Sequence, residues 1–354
     1  MSKIKTLFLK EPFSLNEIQK NIFYKKYLNQ LTKHHFKNSK VYRKLIKNLK
    51  FKIYKNYDVH ELPFIPVSLF KKFELFSVNK NKIIKILKSS GTTGDILSKI
   101  YLDRENSMNQ VKALQKIMFS ILGKDRLPML VVDKNISNID RSEFGARIAA
   151  INGFSIYGKK HTFLLDDKSN INYNLLNKFL KKYGNKKFLV FGFTSILYQN
   201  LIKKLNLNKL NQLFDNAILI HGGGWKKLQD QKISNKDFKK FLSRNLNINK
   251  VHNYYGLVEQ TGSIFLECKC GYFITSNFSD IFIRDENFLI QKKNTKGFVQ
   301  LISVLPTSYP GHNIITEDVG EIIYDKKCRC VKNGKRFIIH GRIKEAEIRG
   351  CSDT

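Results

Sequence analysis

The chain has 354 residues, 42% of them hydrophobic, which is enough for one large domain with a smaller lobe. No apolar run approaches the roughly 20 residues that a membrane helix needs, and no signal-like apolar block precedes Glu11. We therefore expect a cytoplasmic protein without a membrane span. The formal net charge is +34, from 63 Lys and Arg against 29 Asp and Glu.

The first 50 residues are predicted to be helical and amphipathic. Ser14, followed three residues later by Glu17, has the pattern of a capping box at a helix start. Apolar side chains then recur near helical spacing at Leu15, Ile18, Ile22, Phe23, Tyr27, Leu28 and Leu31. Pro63 and Pro66 bar a regular helix from the first half of residues 61–71, which predicts a packed, extended linker.

Strands and helices alternate through the middle of the chain. Strands are predicted at 82–87, 129–132, 188–192 and 217–220, with helices at 104–122 and 141–151. This alternation predicts an α/β fold with mostly parallel sheets flanked by helices. From about residue 264 the pattern changes to short strands with Gly, Pro and Asn turns, which predicts a β-rich C-terminal part.

Two segments carry the residue types of a nucleotide site. Converging N–H groups and hydroxyls can bind phosphate oxygens, although most such runs are plain turns. The first segment is a Gly/Ser/Thr run after the strand at 82–87, made of Ser89, Ser90, Gly91, Thr92, Thr93 and Gly94. The second is Tyr255-Gly256 with Glu259 three residues on. Together they resemble the ATP site of the adenylate-forming enzymes, which activate a carboxylic acid as an acyl-AMP.

The resemblance continues in the order of the family's motifs, and it implies roles for individual residues. The Tyr of Tyr-Gly-x-x-Glu packs on the adenine and the Glu helps to hold Mg²⁺, so these roles fall to Tyr255 and Glu259. Thr93 is the second expected magnesium ligand, since hydroxyl and carboxylate oxygens suit that ion. The other matches are the glycine turn beside the adenine, the ribose-binding Asp and the Arg of the hinge: Gly222, Gly223 and Gly224, then Asp318, then Arg342.

A closer resemblance is to the acyl-protein synthetase of the bacterial bioluminescence fatty-acid reductase complex and its relatives. It spans almost the whole chain and is carried by residues 62–71, 192–194, 255–260 and 341–353. It implies a large N-terminal lobe of an adenylate-forming enzyme, with the usual small C-terminal lobe largely missing. It also implies an acid–thiol ligase that uses ATP and Mg²⁺ on a fatty or other carboxylic acid. An acyl reductase or acyl carrier is the implied partner.

Several positions depart from the family's pattern. Asp95-Ile96 follows the phosphate loop where Pro-Lys is usual, and Glu317 replaces the middle Gly of Thr-Gly-Asp. The chain stops at Thr354, so no residue matches the Lys of the small lobe that assists adenylation. Without that Lys there are three alternatives: adenylation is slow, a partner assists it, or another cation takes the place of the Lys. The candidate cations are Lys88, Lys99 and Arg342.

The five cysteines suggest two different roles. Cys268 with Cys270 and Cys328 with Cys330 form two Cys-x-Cys pairs, which predict either a tetrathiolate zinc site or free thiols. One intervening residue is tight for such a site. Cys351 stands apart near the chain end, and the resemblance implies that it carries the acyl group as a thioester. The adjacent Arg349 would favour its thiolate; an inert tail cysteine is the alternative.

The sequence predicts four segments. They are a helical segment packed on the core (1–80), an α/β nucleotide-binding core (81–263), a β-rich subdomain with the candidate zinc site (264–340) and a hinge remnant with tail (341–354). Three aromatic residues are interpreted as part of the hydrophobic core rather than as the lining of an acyl pocket: Phe191, Phe193 and Tyr198. Three histidines are interpreted as structural residues or as contacts beside the adenine: His221, His252 and His312.

Other functions remain open from the sequence alone. One is a relative of the acid–CoA ligases, which the short C-terminus disfavours. The other is a basic nucleic-acid-binding protein on an adenylation fold. An AT-rich coding sequence explains the positive charge better than nucleic-acid binding does, because Lys, Asn, Ile and Phe are abundant together and the basic residues are spread along the chain. We therefore expect no nucleic-acid partner.

Overall fold

The computed structural model describes residues 4–89, 96–135, 146–224, 233–325, 328, 330 and 332–343. By internal contacts the chain forms two compact units. Unit 1 contains the described residues of 4–89, 96–121 and 255–343, and unit 2 contains those of 122–254. The four-segment division made from the sequence stays a prediction.

The elements follow one another in chain order. The first are α1 (Lys5–Phe8), α2 (Glu17–Asn38), α3 (Lys40–Asn48), β1 (Ile65–Pro66), α4 (Leu69–Lys72), β2 (Ile83–Lys88), β3 (Lys99–Asp103) and α5 (Arg104–Leu122). Next come β4 (Leu127–Lys134), α6 (Ala146–Ser155), β5 (Gly158–Leu165), α7 (Tyr173–Tyr183), β6 (Phe188–Phe193), α8 (Thr194–Leu197), β7 (Ala217–Gly222), α9 (Asn235–Leu246) and β8 (Lys250–Tyr255). The last are β9 (Phe265–Glu267), β10 (Phe273–Ile274), β11 (Ser279–Arg284), β12 (Gly297–Ser303), β13 (Asn313–Ile323) and β14 (Arg336–Arg342).

Unit 1 contains an antiparallel sheet in the order β11-β12-β13-β14-β10-β9, with β1 added parallel to β13. A separate antiparallel hairpin joins β2 to β3. Apolar side chains from α3, β1, β3 and the sheet form one buried cluster, which includes Ile46, Ile65, Ile100, Leu301 and Phe337. The predicted β-rich C-terminal part is confirmed. The predicted extended segment at residues 61–71 contains the short strand β1.

Helix α2 lies where the sequence predicts a helix, but its start and its buried face differ from the prediction. The capping box is formed by Asn16 and Gln19, not by Ser14 and Glu17. Ile18 and Ile22 are 72% and 69% exposed. Tyr24, Tyr27, Leu28 and Leu31 are buried, and so is Lys20.

Lys20 is buried because the sheet supplies its partners. Its Nζ donates to the Ser279 carbonyl at 2.6 Å and to Thr275 Oγ1 at 3.1 Å, and it lies 3.8 Å from Asp280 Oδ1. A buried ammonium persists only where such groups replace its water. The buried face of α2 therefore carries Lys20 together with Tyr24, Tyr27, Leu28 and Leu31, and it excludes Ile18 and Ile22.

Unit 2 is a parallel sheet in the order β5-β4-β6-β7-β8. Strand β6 lies at its centre and is buried along its whole length. Helices α7 and α9 contribute apolar residues to the same core as Leu130, Val190 and Leu219. The predicted alternation of strands and helices is thus confirmed here; residues 141–145 of the predicted helix at 141–151 lie outside the described residues.

Among the helices of the described chain, none combines the length and the apolar character needed to cross a bilayer.

Candidate functional site

The base of the predicted phosphate loop lies in unit 1. Strands β2 and β3 bring Lys88 opposite Lys99, and beyond this pair two serines close the hairpin. Ser89 N donates to the Ser98 carbonyl at 3.1 Å, and Ser98 N donates to Ser89 Oγ at 2.9 Å. The loop residues themselves lie outside the described part of the chain: Ser90, Gly91, Thr92, Thr93 and Gly94.

Glu259 belongs to the same unit and is 7% exposed. Burial raises the pKa of its carboxyl group, while the buried Ser98 side chain and the charges of Lys71 and Arg342 oppose that rise. Ser98 closes the base of the phosphate loop through its backbone, while its buried Oγ has no hydrogen-bond partner among the described residues. The sequence analysis did not identify Ser98 or Lys71 as part of this site. The position of Ser98, just before β3, was the available signal for it.

The backbone around Glu259 is fixed by hydrogen bonds from side chains. Tyr309 Oη donates to the Glu259 carbonyl at 2.9 Å, and Gln260 Nε2 donates to the carbonyls of Leu301 and Gly311 at 3.1 and 2.9 Å. Gly262 then turns the chain with φ of +86°, where an added Cβ would lie 2.6 Å from the Gln110 carbonyl oxygen. These contacts fix the backbone from which the Glu259 side chain extends.

A second acidic residue lies on β13 and is held by side chains from two other strands. Tyr255 Oη, at the end of β8, donates to Asp318 Oδ2 at 2.5 Å. Arg342 is the register partner of Asp318 on β14, and its Nε lies 3.7 Å from Asp318 Oδ1. Thr316 Oγ1 accepts from Asp318 N at 3.1 Å. Both carboxylate oxygens of Asp318 thus face a donor.

The ring of Tyr255 packs on an aromatic cluster. Its centroid lies 6.0 Å from those of Phe265 and Phe273 and 6.3 Å from that of Phe337. Burial raises the pKa of Asp318, against the opposing effects of the Tyr255 hydrogen bond and the Arg342 charge. Unit 1 therefore brings together three residues predicted from separate motifs, Tyr255, Asp318 and Arg342, with Gly256 directly after Tyr255.

The predicted glycine turn lies in unit 2, at the carboxyl end of β7. Gly222 packs against the ring of Tyr254, where an added Cβ would lie 2.4 Å from the nearest ring carbon. Gly223 has φ of +80°, and Gly224 follows it. A residue with a side chain would not fit at Gly222 without moving Tyr254, which explains the glycine on local packing alone.

In unit 2, His221 and the three aromatic residues Phe191, Phe193 and Tyr198 are buried, whereas His252 is half-buried. His221 Nδ1 lies 2.9 Å from Thr194 Oγ1, and burial lowers the pKa of His221 to about 3. Phe191 is fully buried and stacks on Phe154 with centroids 4.6 Å apart. Phe193 and Tyr198 are each 4% exposed. Their positions agree with the interpretation as core.

The four paired cysteines converge in unit 1. The Sγ atoms of Cys268, Cys270, Cys328 and Cys330 all lie within 4.8 Å of one another. His312, in contrast, accepts or donates a single hydrogen bond with Thr32 Oγ1 at 2.9 Å inside the unit. Cys351 lies outside the described residues, so its predicted role stays a prediction.

Comparison with solved structures shows the fold. An open conformation of 2-hydroxyisobutyryl-CoA ligase, in complex with 2-HIB-AMP and CoA, has a TM-score of 0.71 at 14% identity, over 94% of this chain and 71% of that one. The same ligase in its postadenylation state gives 0.68 at 14% identity, over 93% and 69%. A luciferase-like enzyme from the nonluminescent mealworm Zophobas morio gives 0.50 at 16% identity, over 78% and 61%. The α/β fold is that of the large lobe of adenylate-forming enzymes.

A search of curated proteins found no match. The model of one protein family, described as acyl-protein synthetase, LuxE, matches residues 1–354. This match covers the whole chain. The chain therefore belongs to the acyl-protein synthetase (LuxE) family.

Proposed function

We propose that this protein is an ATP-dependent acyl-protein synthetase, which converts a fatty or other carboxylic acid into an acyl-AMP and then into a thioester on Cys351. The observation that carries the first step is the group of polar residues in unit 1. Glu259, Asp318, Tyr255 and Arg342 come from distant parts of a chain that belongs to an acid-activating family.

Asp318 is the proposed ligand of the ribose hydroxyls. A carboxylate accepts hydrogen bonds from two neighbouring hydroxyl groups, provided that its own orientation is fixed. The Tyr255 hydroxyl and the Arg342 guanidinium supply that orientation at 2.5 Å and 3.7 Å. Tyr255 thus acts through its hydroxyl on Asp318, and the adenine contact that the family resemblance implies is proposed for its ring.

Glu259 is the proposed protein ligand of Mg²⁺, with Thr93 as the second. A buried carboxyl group with a raised pKa lacks enough donors to compensate its charge, and a divalent cation supplies that compensation. The carboxylate oxygen suits Mg²⁺, which usually binds proteins through one or two carboxylates together with substrate phosphates. When bound, the ion would neutralise phosphate charge during adenylation.

The two chemical steps balance without an additional reagent. In the first, a substrate carboxylate oxygen forms a bond to the α-phosphorus of ATP, and the bond to pyrophosphate breaks. In the second, the Cys351 thiolate attacks the acyl carbonyl carbon, and AMP leaves. The thiol proton goes to solvent or a nearby base. Lys88 and Lys99, exposed and opposite each other beside Ser89, are the cations proposed to assist adenylation next to the phosphates.

The thiol step is tested by labelling. Full-length protein incubated with ATP, Mg²⁺ and a radiolabelled fatty acid should become labelled, and neutral hydroxylamine should release the label, as it does from thioesters. Cys351→Ser should abolish the hydroxylamine-sensitive label and leave acid-dependent ATP–pyrophosphate exchange intact. The matched control is Cys270→Ser, which should still form the thioester because Cys270 belongs to the separate cysteine cluster.

Two outcomes would contradict the thiol step. If Cys351→Ser is labelled as well as the wild type, the acyl group passes through another residue. If exchange is robust but no protein is labelled, acyl-AMP goes directly to an outside acceptor, and an acid–CoA ligase becomes the better description. Adding CoA to that reaction and measuring acyl-CoA distinguishes this case.

The receiving partner is proposed to be an acyl reductase or an acyl carrier protein. A cytoplasmic location, expected from the sequence, agrees with a mechanism that needs a reduced thiol.

A further inference from the structure

We propose that Cys268, Cys270, Cys328 and Cys330 bind one structural Zn²⁺ ion, which joins the β9–β10 turn to the segment that precedes β14. The four cysteines are separate from the residues proposed to carry out adenylation, so a finding of no zinc would not contradict the proposed function. The proposal rests on the geometry of the sulfur atoms, the turn that presents them and the charges around them.

The sulfur atoms have the spacing of a tetrathiolate site. Four sulfurs arranged as a tetrahedron about zinc, each at about 2.3 Å, lie about 3.8 Å from one another. Cys270 Sγ and Cys330 Sγ are 3.8 Å apart, and all four Sγ atoms lie within 4.8 Å. A disulfide would need about 2.05 Å. A contraction of less than 1 Å along the longest edge would complete the tetrahedron.

The first cysteine pair is presented by a tight turn. Cys268 N donates to the Tyr272 carbonyl at 2.8 Å, and Gly271 N donates to the Cys268 carbonyl at 3.0 Å. Gly271 has φ of +87°, a conformation that favours glycine and lets the turn close after only one residue between the two cysteines. The turn thus resolves the tight spacing noted in the sequence.

The second pair is held beside this turn by independent contacts. Cys328 N donates to the Asp325 carbonyl at 3.3 Å, and Tyr272 Oη donates to Asp325 Oδ2 at 3.0 Å, which links the two segments directly. Arg336 Nη2 donates to the Cys330 carbonyl at 2.9 Å. The cysteines therefore converge through a scaffold that does not depend on the sulfur atoms themselves.

The surroundings suit a dianionic centre. Four thiolates and one Zn²⁺ carry two net negative charges. Two basic residues close to the cysteines in the sequence interact with them: Lys332 with Cys330 and Cys268, and Arg336 with Cys328. Soft thiolate ligands in a tetrahedron favour zinc, and four protein ligands leave no open position for a reacting water. The role is therefore structural. Since β10 pairs with β14, the ion would hold the beginning of the strand whose far end carries Arg342.

Metal content is the primary test. Full-length protein purified without chelators should contain about one zinc per chain by elemental analysis, and native mass spectrometry should show the same mass increment. Cys270→Ser and Cys330→Ser should each lose most of that zinc, whereas Cys351→Ser should retain it. Protein loaded with Co²⁺ should show the intense visible bands of tetrahedral thiolate coordination. Iron in place of zinc would overturn the assignment of the ion.

A second measurement works on the wild-type protein and does not depend on whether the variants fold. Releasing the metal with a mercurial and a chelator, and then displacing the mercurial with excess small-molecule thiol and removing that thiol, should expose four additional thiols to alkylation. Hydrogen exchange of the peptide covering residues 332–343 should then accelerate more than that of residues 104–122. Metal-free protein as isolated, with all four thiols already reactive or joined as disulfides, would overturn the proposal.

Discussion

At the scale of single residues, Glu259 is a buried carboxyl group, and burial makes its charged form unfavourable. Its pKa is raised because the carboxylate loses water on folding and gains too few donors in return. A carboxyl group whose folded pKa exceeds its unfolded pKa binds its proton more tightly in the folded state. It therefore costs no stability below the ordinary pKa near 4.5, and it destabilises the fold as the pH rises above that value. This cost agrees with the role proposed for Glu259 as a ligand of Mg²⁺.

Glu259→Gln should consequently stabilise the metal-free protein at pH 7, because it removes the buried charge and keeps the shape of the side chain. The gain in the free energy of unfolding should shrink as the pH falls towards 4, where wild-type Glu259 is protonated. Denaturant unfolding of both proteins across this pH range measures the difference. The exposed Glu286, replaced in Glu286→Gln, is the matched control and should show no such pH dependence. A glutamine variant that is less stable than wild type at neutral pH would contradict the description of Glu259.

At the scale of elements, the start of α2 shows how a distant contact decides between two good local signals. Ser14 with Glu17 and Asn16 with Gln19 both have the spacing of a capping box, so local chemistry does not distinguish them. Asn277 does: its Oδ1 accepts from Leu15 N at 3.0 Å, and its Nδ2 donates to the Glu11 carbonyl at 2.7 Å. These bonds keep residues 11–15 out of the helix, which then begins after Asn16.

Long-range contacts also decide which side chains of the candidate site meet one another. The Tyr-Gly-x-x-Glu segment and Asp318 could be found from the sequence, because each carries a short motif with a chemical meaning. The partnership of Tyr255 with Asp318 could not, because nothing in either motif specifies which donor meets which acceptor across strands. Ser98 lacks a motif altogether and enters only because the β2–β3 hairpin brings it beside Ser89.

The segment after Glu259 depends on a close approach between two backbones. Gly262 has φ of +86°, and an added Cβ would lie 2.6–2.7 Å from backbone atoms of Gln110 in α5. Gly262→Ala should therefore destabilise the protein by roughly 1–3 kcal/mol, because backbone strain and the clash act together. Gly153→Ala is the matched control: Gly153 lies in α6 with nothing within 4 Å of an added Cβ, so alanine should stabilise that helix by about 0.5–1 kcal/mol. Calorimetric midpoints of the two variants that move in the same direction would refute this explanation.

At the scale of the whole molecule, the fold class was predictable and several details were not. Alternating strands and helices in residues 127–255, followed by short strands with polar turns, indicate an α/β fold with a β-rich part, because periodicity reflects burial. The organisation into two units was not predictable in the same way. The N-terminal helices and the C-terminal sheet belong to one unit, and buried pairs such as Lys20 with Asp280 connect residues that are remote in the chain.

Acid-dependent ATP–pyrophosphate exchange is the most direct test of the central claim that the chain activates a carboxylic acid with ATP. The wild-type protein, given Mg²⁺, ATP and labelled pyrophosphate, should incorporate label into ATP only when a suitable acid from a panel of chain lengths is present. Glu259→Gln should lower that rate by about 100- to 1000-fold, the usual effect of removing one electrostatic contact to a transition state. Glu286→Gln should match the wild type. Absence of exchange with every acid, in protein shown to be folded, or exchange unaffected by Glu259→Gln, would contradict the account.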